Sequence, residues 1–152
     1  MKSVAKRLRN RKIELILVIP RIKEEKEERS NNITIHYVGY LPRNEFLRLL
    51  ARSDLYVERC VDEELGLASI EAALLGTPIA KLTHPRFVDR QDYQEEVIWS
   101  SSFKGLVEAI SDYVLHVDHW KPYYSKKLRE FLITRRSWDR LKGSLIRGLR
   151  SM

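Results

Sequence analysis

Glu63 and Glu71 stand eight positions apart in the stretch Asp62 to Ala80, DEELGLASIEAALLGTPIA. A helix through this stretch places Glu71 among Leu67, Ile70, Ala72, Ala73, Leu74 and Leu75, so that only Ser69 and Glu71 break an apolar run from Leu65 to Leu75. At the α-helical spacing those two polar residues point about 200° apart. An ionised carboxylate in apolar surroundings has to be paired or hydrogen-bonded, because an isolated buried charge is too costly to keep. Two partners fit: an arginine in a structural ion pair, or the hydroxyl groups of a ligand. If the helix starts near Gly66 or Leu67, its first amides lack intrahelical partners and carry the positive end of the helix dipole. Asp62, Glu63 and Glu64 then serve as local acidic caps, or a ligand's sugar or phosphate approaches over Gly66, where no side chain intervenes.

Other reactive residue types give weaker patterns. His36, His84, His116 and His119 are scattered, and none pairs with acidic residues at a metal-ligand spacing. His84 alone falls in a loop near the expected cleft. Cys60 has no neighbouring base and reads as a packing residue rather than a nucleophile. No serine elbow and no phosphate-cradling glycine loop is present. The sequence therefore implies neither a metal nor a cofactor.

The elements that position these residues alternate along the chain. Ile13 to Ile19, IELILVI, is short, rich in aliphatic residues and stopped by Pro20, which predicts a buried strand. EEKEER predicts an exposed helix or loop. Ile33 to Tyr40 is a second strand, followed by the helical pattern RNEFLRLLARS with Asn44 as its cap. Asp54 to Glu58 is a third strand, and Leu67 to Leu75 a helix ended by Gly76-Thr77-Pro78. PIAKLT is a fourth strand, and Glu95 to Trp99 a short fifth. Ser100 to Ser102 cap the helix FKGLVEAISDYVLH, and two further helices follow, KPYYSKKLREFLITRR and SWDRLKGSLIRGLR. Repeated strand-helix alternation predicts an α/β fold, a Rossmann-like, doubly wound parallel sheet. Such sheets bind ligands outside the carboxyl ends of their strands, which directs attention to the loops Gly39 to Arg43, Arg59 to Gly66 and Thr83 to Asp89.

At 152 residues the chain has the length of one domain, divided into a basic lead-in (1–11), an α/β core (12–116) and terminal helices (117–152). With one cysteine it forms no internal disulfide, in keeping with a reducing, cytoplasmic compartment. No apolar run reaches the roughly 20 residues of a membrane span. The 28 Lys and Arg against 21 Asp and Glu leave a net charge of +7, concentrated at the two ends. This charge suits an anionic partner such as a nucleotide or a phospholipid surface, or belongs to solvated tails. Neither end carries a helix-turn-helix or RNA-binding sheet motif, which argues against nucleic acid. The last helix sets Trp138, Leu141, Leu145 and Leu149 on one stripe, to pack on the core or to lie on an anionic membrane.

The run Glu63-Glu64-Leu65-Gly66-Leu67-Ala68-Ser69-Ile70-Glu71-Ala72 resembles the Glu-x-x-Gly-x-x-x-x-Glu-Ala signature of group-1 (family-four) retaining glycosyltransferases of the GT-B fold. The whole of NITIHYVGYLPRNEFLRLLARSDLYVERCVDEELGLASIEAALLGTPIA is similar to their carboxy-terminal donor-binding domain, and a weaker resemblance extends to SSFKGLVEAISDYV and SWDRL. The resemblance implies one half of a GT-B fold that binds a nucleoside-diphosphate sugar for retaining hexosyl transfer to a carbohydrate or lipid-linked acceptor. In that family the second glutamate holds ribose hydroxyls, a role falling on Glu71, and the first contacts the transferred sugar, a catalytic role falling on Glu63. Amides around the glycine, here Leu65, Gly66 and Leu67, reach the sugar and phosphate. The loop with Tyr40 and Leu41 lines the nucleobase pocket. A charge-assisted bond from vicinal hydroxyls to a carboxylate suits ribose chemically.

The chain departs from the family by lacking the first strand-turn-helix unit with its diphosphate-binding arginine and lysine, and by keeping no glycine in KLTHPRFVDRQDYQ. The expectation is therefore a donor domain that needs a separate acceptor domain, the chain being a fragment, a truncated gene product or one subunit of a split enzyme with an acceptor-domain partner chain. The alternative is a non-catalytic nucleotide-sugar-binding or partner subunit derived from the same fold.

Overall fold

A computed structural model describes residues 8–58, 65–90 and 93–135. Among the described residues six strands and four helices follow one another: β1 (Ile13–Val18), β2 (Lys26–Ser30), β3 (Ile33–Val38), α1 (Arg43–Arg52), β4 (Tyr56–Glu58), α2 (Leu67–Leu74), β5 (Ile79–Leu82), β6 (Ile98–Ser100), α3 (Phe103–Leu115) and α4 (Val117–Arg135), with a 3-10 turn at Pro85–Arg90. They make a mixed α/β structure in which the strands form two three-stranded sheets rather than one, in the orders β1-β3-β2 and β4-β5-β6.

The second sheet is wholly parallel, Tyr56 pairing with Ile79 and Ala80 with Ile98. Successive residues of β5 face opposite sides, and the two sides carry separate cores. Ile79 packs with Leu65, Ala73, Tyr93, Val97, Leu128, Phe131 and Leu132, which brings α2 and α4 onto one face. Ala80 packs with Ile98, Leu106 and Tyr113, bringing α3 to the other. Helices cover this sheet on both faces, as a parallel sheet requires.

The first sheet departs from expectation twice. Lys26–Ser30, expected in a helix or loop, is a strand, antiparallel to β3 and fully exposed along its length. It is held by its backbone ladder to β3 rather than by burial, with the Tyr37 hydroxyl donating across the strands to Glu28 at 3.1 Å, while Lys26–Glu28 at 2.7 Å and Arg29–Glu27 at 2.5 Å are pairs within the strand. The turn into β3 uses Asn31 at φ 54, a left-handed conformation that asparagine tolerates. The run IELILV, expected to be buried, is exposed: Leu15, Ile16 and Leu17 are 43%, 41% and 43% accessible. Among the described residues β1 pairs only with β3, so one of its edges carries no neighbour.

Residues preceding β1 and β4 are both tied to the helices α3 and α4. Before β1, Arg11 donates to the Leu115 carbonyl oxygen at 3.1 Å. Before β4, Asp54 takes Lys121 at 2.7 Å and its carbonyl oxygen accepts from the Tyr113 hydroxyl at 2.7 Å. Both amino ends thus reach the corner between α3 and α4. Toward the other end, the Thr77 hydroxyl donates to the Leu50 carbonyl oxygen at 2.6 Å and ties α1 to the end of α2.

Smaller differences concern helix starts. Pro42, not Asn44, is the N-cap residue of α1, and Asn44 instead accepts from the Glu45 amide at 3.0 Å. The fifth strand lies at Ile98–Ser100 rather than Glu95 to Trp99. Ser102 caps α3 as its sequence predicts, accepting from the Gly105 amide at 3.1 Å. The helix α4 begins at Val117 and includes Pro122 in its second turn. SWDRLKGSLIRGLR lies outside the described residues.

Burial pushes the Tyr113 hydroxyl well above the ordinary tyrosine range, with Asp54 and Tyr124 acting in the same direction. The folded state then holds this proton more tightly than the unfolded chain. Its stabilisation is complete below about pH 10 and is lost as pH rises beyond that value. Tyr113→Phe is expected to flatten the alkaline decline in stability measured by urea unfolding at stepped pH, and an unchanged slope would contradict this assignment.

Candidate functional site

The loop after β3 and the helix after β4 converge on Glu71. Its side chain, 11% accessible, accepts from the Arg43 guanidinium through Oε1. Arg43 opens α1 directly behind Tyr40, Leu41 and Pro42. The ion pair therefore ties Glu71, expected at a ribose, to the start of the helix that follows Tyr40 and Leu41, expected at a nucleobase. Tyr40 is largely exposed and its ring is open to a stacking partner. Of the two partners the sequence left open for Glu71, an arginine occupies one carboxylate oxygen, and no hydrogen bond to Oε2 is present among the described residues.

The helix around Glu71 is less buried than its composition predicts. Ser69, Ala72 and Ala73 face the interior, whereas Leu67, Leu74 and Leu75 are exposed. Leu65 is part of the core beneath the helix start, and Leu67 lies on the surface beside it. Gly66 is the N-cap residue, and having no side chain it cannot cap the helix itself.

That capping comes from Glu58, a residue the sequence reading did not single out. It ends β4, is 7% accessible, and its Oε2 accepts from the Gly66 amide at 3.2 Å and from the Ser69 hydroxyl. A carboxylate there is favoured by the charge-assisted bonds and by the helix dipole. Its cross-strand partner is Lys81, also buried, whose Nζ donates to the Tyr93 hydroxyl at 3.3 Å and lies 5.7 Å from that ring's centroid. A charge closing DLYVE and another inside PIAKLT were the available signals. Charged residues in short apolar strands demand partners.

Glu63 and Cys60 lie outside the described residues. His84 is exposed, and its Nδ1 accepts from the Arg86 amide at 3.3 Å, a local turn contact. His116 Nδ1 approaches Asp112 on the preceding turn at 3.7 Å. Among the described residues no group of three or more His, Cys, Asp and Glu is arranged to hold a metal ion, and no helix is long and apolar enough to cross a membrane.

Clefts open on the described residues at two places away from Glu71. One, of about 530 Å³, is lined by Asp54, Val117, Asp118, Lys121, Pro122 and Ser125. The other, of about 150 Å³, lies against Ile98, Tyr113 and Trp120. Neither includes Tyr40, Gly66 or Glu71. The larger sits at the amino end of β4, opposite the end where parallel sheets bind ligands. The walls of a carboxyl-end crevice would include residues 59–64, which are not among the described ones.

Comparison with known proteins finds no matching family model, no similar curated protein and no similar solved structure.

Proposed function

We propose that this chain is the donor-binding domain of a retaining glycosyltransferase, one half of a GT-B fold with a Rossmann-like core. The observation that carries this reading is the ion pair of Glu71 with Arg43, which opens the helix directly after the Tyr40-Leu41-Pro42 loop that follows β3. There a nucleobase stacks on Tyr40 beside Leu41, and ribose hydroxyls donate to Glu71. The amides of Leu65, Gly66 and Leu67 at the start of α2 face the sugar and phosphate, and Glu63 contacts the transferred hexose. The chemistry uses no metal or cofactor. Transfer also requires an acceptor domain, and the acceptor is a carbohydrate or a lipid-linked saccharide. The protein works in the cytoplasm, with a peripheral position on an anionic membrane where the acceptor is lipid-linked.

One observation favours a second reading, a non-catalytic nucleotide-sugar-binding or partner subunit. The Glu58 carboxylate already occupies the Gly66 amide that a leaving diphosphate would use. A negative charge at that point opposes the stabilisation of a departing diphosphate. Both readings require nucleotide binding. Calorimetric titration with uridine and guanosine diphosphates is expected to give saturable binding of at least one, with Kd below about 1 mM. Absence of saturable heat with both overturns the proposal.

A further inference from the structure

We infer that Glu58 is a ligand-binding carboxylate that accepts a sugar hydroxyl and bars a phosphate from the amino end of α2. This rests on the donor-domain reading and assigns the sugar subsite to a residue outside its signature. Glu58 is more than nine-tenths buried, yet all its hydrogen bonds among the described residues go to one oxygen, Oε2. The other oxygen, Oε1, has no donor among the described residues. Buried polar atoms in folded proteins are with few exceptions hydrogen-bonded.

The place beside Oε1 is defined by Gly66. A Cβ built on Gly66 would stand 3.3 Å from Oε1 and 3.2 Å from Oε2, so glycine lets both carboxylate oxygens lie close against the backbone at the helix start with no side chain of its own over them. The carboxylate is held from behind by the Gly66 amide and the Ser69 hydroxyl, and Ser69 is itself fully buried. Whatever enters over Gly66 therefore meets a fixed acceptor. A hydroxyl supplies the missing proton and forms a charge-assisted bond. A phosphate oxygen brings a second negative charge and no proton, and is repelled. The group recognised is thus a hydroxyl of a neutral polyol, such as a hexose. The diphosphate is displaced from Gly66 toward the rest of the helix start.

The test compares uridine diphosphate with uridine diphosphate glucose, and guanosine diphosphate with guanosine diphosphate mannose, by calorimetry on the whole chain and on Glu58→Gln. Glutamine keeps an oxygen for the Gly66 amide and the Ser69 hydroxyl, removes the charge and puts an NH2 donor in place of the Oε1 acceptor. In the parent, one sugar nucleotide is expected to bind about tenfold more tightly than its bare diphosphate. In Glu58→Gln that preference falls to about threefold or less, because sugar binding weakens and diphosphate binding strengthens. A preference unchanged in a variant with the parent melting temperature makes Glu58 a helix cap alone and overturns the inference, while the donor-domain reading stands. No binding of any of the four compounds by the parent overturns both. If Glu58→Gln does not fold, Ser69→Ala, which removes one of the two donors fixing the carboxylate, carries the comparison with the same two outcomes.

Discussion

Replacing Leu128 with alanine is expected to lower the unfolding free energy by about 2–5 kcal/mol. Leu128 is wholly inaccessible and lies, beside Phe131, where α4 meets Ile79, Ala73 and Tyr93. Truncation there removes the transfer free energy of three carbon atoms and leaves a cavity between an α-helix and a parallel sheet, neither of which collapses easily. The same cluster contains Leu65, which supports the start of α2 next to Gly66. The cavity therefore sits beneath the candidate site as well as in the core. Ile133, on the same helix, is 55% accessible, and its alanine variant is expected to change stability by no more than about 0.5 kcal/mol. Urea unfolding followed by circular dichroism measures both. Equal effects at the two positions would mean that α4 does not pack as described.

Glu71 and Arg43 are expected to respond asymmetrically. Removing the guanidinium in Arg43→Ala strands a carboxylate that is only 11% accessible, and costs about 1–2 kcal/mol. Removing the charge in Glu71→Gln leaves an exposed arginine that water solvates. Its cost is below about 0.5 kcal/mol. Binding reverses the order of importance: Glu71→Gln is expected to weaken nucleotide affinity about tenfold or more, since a neutral amide replaces the charged acceptor for ribose. A Glu71→Gln protein that binds nucleotide as well as the parent would make the Arg43 pair the whole explanation of the carboxylate.

Local chemistry made much of the positioning framework legible. Gly66 and Gly76-Thr77-Pro78 bound α2 in the sequence and bound it in the structure, where Gly76 adopts φ 85. Ser102 likewise marks the start of α3. These signals work because the residue that ends or begins the element also makes the deciding contact. The strand β2 was not legible from periodicity, because its exposed residues depend on pairing with β3 rather than on an apolar face. The cue was the pair Asn31-Asn32, which suits a short hairpin turn. β1 misled in the other direction: a continuous aliphatic run suits a strand buried on both faces, yet here it lies at a sheet edge.

The candidate site divides along the same line. Glu71 was legible because a lone carboxylate in an apolar helix stands out within one turn. Glu58 was not, because its two donors come from Gly66 and Ser69, eight and eleven residues further along, and only the fold brings them to the end of β4. Lys81 is similar: its contact with Tyr93 spans twelve residues.

The central claim is that nucleotide binds beyond the carboxyl ends of β3 and β4. Amide chemical-shift mapping of the nitrogen-15-labelled chain, titrated with uridine and guanosine diphosphates, tests it most directly. The account predicts that the shifted amides cluster at Tyr40, Leu41, Gly66, Leu67 and Glu71. Shifts confined to Asp54, Lys121 and Ser125 around the larger cleft, or no shifts with either nucleotide, would contradict it.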